Sequence, residues 1–150
     1  MTNKEELNNF FVSCFYTILR AEEVALESIT GGTLTTKEIH FIDAVFKAKA
    51  AGENCFSTIA NFLGITLGTL TTTFLRLQEK GYLTKEQDAQ DKRIYYIVPT
   101  QLAEFIHKEH TAFHEKMIDS IMHTLTEKEA DNLIIALKKL DEFFHEAYKV

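Results

Sequence analysis

Apolar residues recur along most of this chain at the three-and-four spacing of helices. Leu7, Phe10, Phe11, Cys14, Phe15, Ile18, Leu26 and Ile29 form one stripe, which predicts a helix over roughly residues 4–29 that ends at Gly31-Gly32. Thr35-Thr36-Lys37-Glu38 has the form of a capping box, opening a second helix with Ile39, Ile42, Val45 and Phe46 inside. A short helix starting near Ser57 carries Ile59, Ala60 and Leu63 and stops at Gly64. Thr66 then caps a fourth helix that runs to Lys80 and ends at Gly81, with Leu67, Leu70, Phe74 and Leu77 as its expected core stripe. The period next changes from helical to extended. Tyr82-Leu83-Thr84 and Ile94-Tyr95-Tyr96-Ile97-Val98 are β-branched and aromatic runs around the polar tract Lys85–Arg93, the pattern of a long hairpin closed by Pro99. A long helix from about Thr100 to His123 follows. A second capping box, Thr126-Glu127-Lys128-Glu129, opens a last helix with Leu133, Leu137, Leu140, Phe144 and Ala147 at coiled-coil-like spacing.

The predicted fold is mainly α with a small β-hairpin wing. A winged helix-turn-helix lobe (34–99) is flanked by N- and C-terminal helices (1–33 and 100–150) in a single domain. The first, fifth and sixth helices are too extended to bury their stripes on a lobe of about 45 residues, so the pattern predicts a homodimer; a single helical bundle is the alternative.

Composition narrows the class. One proline and six glycines in 150 residues favour long helices over a β-sandwich. No apolar run of about 18 residues predicts a membrane span, and MTNKEELNNF lacks the apolar core of a signal peptide. Two cysteines, Cys14 and Cys55, cannot build a framework of bridges and suggest a reducing cytoplasm. No phosphate-cradling glycine loop, nucleophile elbow or catalytic carboxylate pair is found, so neither an enzyme nor a cofactor is expected. The net charge of −6 argues against nucleic acid. Its distribution argues less: residues 54–98 hold five basic and four acidic side chains, +1 where the rest of the chain carries −7.

Within that lobe the fourth helix is unusual, because five of the eight residues from Thr66 to Thr73 are threonine, an indifferent helix former. At 100° per residue, Gly68, Thr69, Thr72, Thr73 and Arg76 lie opposite the core stripe. A threonine hydroxyl can meet a phosphate or base edge, its methyl can meet a thymine methyl, and Gly68 permits close backbone approach. Two short helices about a glycine turn, with a hairpin directly after, therefore predict a DNA-reading helix-turn-helix with a wing. Ser57, opening the helix before the turn, and Lys92 and Arg93 on the wing complete the candidate DNA contacts. The spacing of Asp88, Asp91 and Arg93 allows a carboxylate to hold a guanidinium for a narrow minor groove; a solvated charged turn is the plainer reading.

These features resemble the MarR family of transcriptional regulators along nearly the whole chain. Leu77-Gln78-Glu79-Lys80-Gly81-Tyr82-Leu83 is similar to the end of that family's recognition helix, and Asp88-Ala89-Gln90-Asp91-Lys92-Arg93 to its wing signature. The resemblance implies that Arg93 enters the minor groove supported by Asp91. Within the family the chain most resembles the repressors of fatty-acid synthesis (FabT-type), through Ala21-Glu22-Glu23-Val24, Thr36–Asp43, Thr66–Thr72 and the segment from Phe105 to Met117. That implies a long-chain acyl group on acyl carrier protein as co-repressor. Ala89 and Gln90 stand where the common wing has Pro and Arg, so this wing is less basic.

Other signals offer other effectors. His107, His110 and His114 share a helix face and can bind a metal, with His40 or Glu109 as a fourth ligand, or form a hydrogen-bonded polar network or pocket lining. Cys14 is either a sensing thiol or a buried inert one. Twelve phenylalanines can line a small apolar ligand's cavity or simply a dimer core. An acidic helical interaction protein without DNA binding is the alternative from another class.

Overall fold

The computed structural model of this chain describes residues 1–149. Its elements, in order, are α1 (Asn3–Thr30), α2 (Thr36–Ala50), α3 (Phe56–Leu63), α4 (Leu67–Glu79), β1 (Leu83–Gln87), β2 (Tyr95–Pro99), α5 (Gln101–Thr124) and α6 (Glu127–Tyr148). The helix starts follow from short-range chemistry. Thr35 accepts from the Glu38 amide while the Glu38 carboxylate returns to the Thr35 amide (3.2 and 2.9 Å), and Thr126 and Glu129 repeat the device at α6. Thr66 caps α4 by accepting from the Thr69 amide at 3.1 Å. Gly64 ends α3 in the left-handed region at φ 64°, which a side chain would resist.

Two compact units divide the described chain, one from Met1 to His110 and one from Thr111 onward, with the boundary inside α5. The first unit contains the expected winged lobe together with α1 and the opening turns of α5. Its core gathers Ile39, Ile42, Val45, Ile59, Ala60, Leu70, Phe74, Leu77, Leu83, Ile97, Ala103 and Ile106, all buried. Each large side chain in it is worth about 1.5–3 kcal/mol relative to exposure. Phe56 meets Phe74 edge-on at 5.0 Å, fixing α3 on α4. The hairpin is antiparallel, with Leu83 opposite Pro99 and Gln87 opposite Tyr95. Asn54 ties β2 to the segment before α3, its amide side chain donating to the Ile97 carbonyl at 2.9 Å.

One stripe assignment needs correction. Leu67 is 53 % exposed although Leu70, Phe74 and Leu77 are buried. It is the first residue of α4, a turn before Leu70, at the end of the helix rather than over the core. The α1 stripe is also open: Leu7, Phe10, Phe15 and Ile18 are exposed and only Leu26 is buried. Periodicity identified an apolar face there, but this chain alone does not cover it. In the second unit, Leu133, Leu137 and Phe144 of α6 are exposed as well. Among the described residues no single helix is long and apolar enough to cross a membrane.

Candidate nucleic-acid interface

The axes of α3 and α4 meet at 107° about Gly64-Ile65-Thr66, the angle of a helix-turn-helix pair. With Leu70, Phe74 and Leu77 turned inward, Gly68, Thr69, Thr72 and Arg76 are exposed and Thr73 is half-buried at the side. Leu75 and Glu79, which the face assignment left out, lie as far outward as Gly68 and Thr72.

The hydroxyls modify the simple picture. Thr71, Thr72 and Thr73 donate to the carbonyls of Leu67, Gly68 and Thr69, at 2.8, 3.0 and 3.1 Å. Such back-bonding spends the hydroxyl proton on the helix itself. Thr72 therefore offers a methyl and an acceptor oxygen rather than a donor for phosphate. Thr69 differs. It receives the Thr66 hydroxyl proton at 2.9 Å, which leaves its own proton for a partner at the helix N-terminus. A Cβ built on Gly68 would meet only the Thr66 hydroxyl, at 3.9 Å, so nothing within this chain requires glycine there. Arg76 is exposed, yet its Nε lies 3.8 Å from Glu38 Oε1, and Lys80 Nζ reaches both oxygens of that carboxylate at 3.1 and 3.0 Å. Burial raises the Glu38 pKa, but the Thr35 amide, Lys80 and Arg76 outweigh it and hold the group below its ordinary value.

The wing tip is built by two carboxylates with separate tasks. Asp88 accepts from the amides of Gln90 and Asp91 at 2.8 and 2.7 Å and from the Tyr96 hydroxyl at 2.9 Å, which folds the turn. Asp91 accepts from the backbone amide, Nε and NH2 of Arg93 at 3.0, 3.0 and 2.9 Å. The guanidinium is thereby fixed while its side chain stays 89 % exposed. These bonds lower the pKa of both aspartates. Lys92 is exposed beside Arg93, and Ser57 is exposed in the first turn of α3.

The histidines form a network whose acceptors the sequence pattern did not point out. Asp43 on α2 bonds His107 Nδ1 at 2.7 Å and also His110 Nδ1. Glu22 on α1 meets His40 Nε2 at 2.8 Å and His110 Nε2 at 3.0 Å. His107 stacks on Phe46 with centroids 4.2 Å apart. The bond to Asp43 raises the His110 pKa, burial opposes it, and Glu22 adds to the rise. Glu22 and Asp43 are held below their usual values because the histidine hydrogen bonds outweigh burial. Of the expected His40, His107, His110 and His114, Asp43 and Glu22 hold the first three, and His114 lies in the second unit, edge-on to Phe113. Cys14 is half-buried. Cys55 immediately precedes α3, and although burial raises its pKa, hydrogen bonds with Ser57 and Thr58 bring it below the ordinary value.

The model of the MarR family matches residues 44–95, from α2 into β2. The FabT structure of Streptococcus pneumoniae in complex with DNA superposes with a TM-score of 0.88 at 29 % identity, covering 97 % of this chain and 99 % of that one. Residues 44–95 carry the MarR-family match, and the likeness to the FabT structure extends over nearly the whole chain. Two further structures share the fold: the S. aureus MepR–DNA complex (TM-score 0.73, 19 % identity, 95 % of this chain and 99 % of that one) and a MarR/EmrR family regulator from Acinetobacter sp. ADP1 (TM-score 0.69, 20 % identity, 97 % and 99 %). At such identities these two speak to the fold alone. The winged helix assembled from α2 to β2 is the part of the chain that the family's model matches.

Proposed function

We propose that this chain is a dimeric repressor that reads an inverted repeat with α4 in the major groove and Arg93 in the adjacent minor groove. The observation that carries it is the wing. An arginine held by three bonds from one carboxylate, yet 89 % exposed, is positioned for a partner outside the chain. The threonine face of α4 supports the same reading, and so does the 29 % identical FabT protein, whose structure holds DNA. Gly68, Thr69, Thr72, Thr73 and Arg76 are the groove-facing set, with Ser57 and Lys92 toward the backbone. Outward methyls favour thymine, so the site should be A/T-rich.

The exposed apolar faces of α1 and α6 support a second copy as their cover. A two-fold dimer would set half-sites roughly 34 Å apart. Selection from random duplexes should yield a palindrome with that spacing, and its absence would overturn the reading.

The effector we propose is a long-chain acyl group presented on acyl carrier protein, acting as co-repressor in the control of fatty-acid synthesis. Likeness to FabT supports it, together with the exposed apolar side chains of α1. Adding acyl carrier protein with and without a long acyl chain to a DNA-binding assay tests it. The acylated form should tighten binding; equal curves would remove the lipid reading and leave the DNA reading intact.

A further inference from the structure

The geometry points to a divalent transition-metal site of the Zn²⁺ class at Glu22, His40 and His110. The three side chains come from α1, α2 and α5 within the first unit, and their ligand atoms all lie within 4.8 Å of one another. Glu22 Oε1 is at their centre, 2.8 Å from His40 Nε2 and 3.0 Å from His110 Nε2. Tetrahedral zinc bonds of 2.0–2.1 Å separate neighbouring donors by about 3.3 Å. A cation entering between the three would lengthen the two short separations by a few tenths of an ångström. Little rearrangement is required for that, because the side chains already converge.

Two features go beyond convergence. The first is outer support. Asp43 bonds His110 Nδ1, which turns the opposite nitrogen, Nε2, toward Glu22. A carboxylate behind an imidazole is the recurrent outer partner of a metal-binding histidine, fixing its ring and raising its basicity. The same Asp43 bonds His107, which is stacked on Phe46, so the carboxylate is itself immobilised. The second is access. His110 and Glu22 are 5 % and 11 % exposed at the side chain, whereas His40 is 47 % exposed and opens the group to solvent. An inner pair with one ligand at the surface gives an ion a way in.

The donor set selects the class. Two imidazole nitrogens and one carboxylate oxygen suit Zn²⁺ and its borderline neighbours and disfavour Ca²⁺ and Mg²⁺, which require oxygen ligands. Water or an incoming ligand would complete the fourth position. An ion there would join α1, α2 and α5, tying the helices around the lobe into one piece.

The test needs no DNA, so its failure and that of the repressor reading are separable. Zn²⁺ is titrated into the metal-stripped full-length protein against a chromophoric chelator, with thermal melting in parallel. The wild type should bind one Zn²⁺ per chain and melt at higher temperature with it. His40→Gln, at a half-exposed position, should abolish both effects, with its own metal-free melt as the baseline. Asp43→Asn should keep the stoichiometry and lose 10- to 100-fold in affinity, the usual cost of removing such a partner. Mg²⁺ should not compete. No stoichiometric binding, or binding that His40→Gln leaves intact, would overturn the site.

Discussion

Thr72 separates two ways in which a threonine can read DNA. Its hydroxyl proton goes to the Gly68 carbonyl at 3.0 Å, so the outward group is chiefly the methyl. If that methyl packs on a thymine methyl, Thr72→Ser removes about 0.8 kcal/mol of apolar burial per half-site. A two-fold dimer doubles this to about 1.6 kcal/mol, or roughly 15-fold in Kd. Thr72→Val keeps a methyl in place and changes helix propensity little, so it should bind within about twofold of wild type. Fluorescence anisotropy on the selected operator measures both. Neither substitution touches a charge, so the slope of affinity against salt should not change. The opposite ranking, Val weak and Ser normal, would refute the argument and make the hydroxyl the reader, with the Gly68 bond broken on binding.

Other perturbations test neighbouring steps. Gly68→Ala should raise the thermal midpoint, by about 0.5–1 kcal/mol of helix propensity, because its Cβ meets nothing closer than 3.9 Å; it should still weaken DNA binding if Gly68 serves close approach. Asp91→Asn removes a negative charge yet should weaken operator binding several-fold, since Arg93 loses its anchor; tighter binding would mean that Asp91 only repels phosphate. Arg93→Ala should reduce the salt slope by about one per wing, and an unchanged slope would remove Arg93 from the interface. Glu38→Gln should cost on the order of 1–3 kcal/mol at neutral pH by loosening the bonds to Lys80. The folded Glu38 pKa lies below its ordinary 4.5, so this contribution is full above 4.5 and is lost as pH falls through the lowered value. Wild type and variant should then converge in acid, as urea midpoints across pH 3–7 would report.

The parts of this fold that were legible in the sequence are those governed by neighbours in sequence. Thr35, Thr66 and Thr126 mark helix starts because a cap is a hydroxyl accepting from an amide three residues on, reinforced at Thr35 and Thr126 by the carboxylates of Glu38 and Glu129. The wing was legible for the same reason, with Asp91 and Arg93 two residues apart. Face assignment was less complete. A period tells which side is apolar but not where the covering elements stop, and so Leu67 stayed outside the core. The direction of the threonine hydroxyls is a rotamer choice, which no sequence period encodes. The histidine acceptors were the hardest to anticipate. Glu22 and Asp43 lie 88 and 67 residues from His110, and a carboxylate in a helix gives no local sign of the imidazole it will meet.

The position of α2 gives these separate observations a common mechanical sense. Its N-terminal Glu38 holds Lys80 at the end of α4 and lies beside Arg76. Two residues on, His40 meets Glu22 of α1, and one turn after Ile39 Asp43 takes His107 and His110 of α5. Both sets are carried within six residues of one helix, and that helix is fixed internally by the buried Ile39, Ile42 and Val45. A helix packed in this way moves as a rigid piece rather than bending between its anchors. Any event that repacks the histidine network must therefore either leave α2 where it is or displace Glu38 with it. In the second case the support of Arg76 changes without any contact to that residue. The histidine network and the support of Arg76 are then linked by the spacing of Glu38, His40 and Asp43 along a single helix.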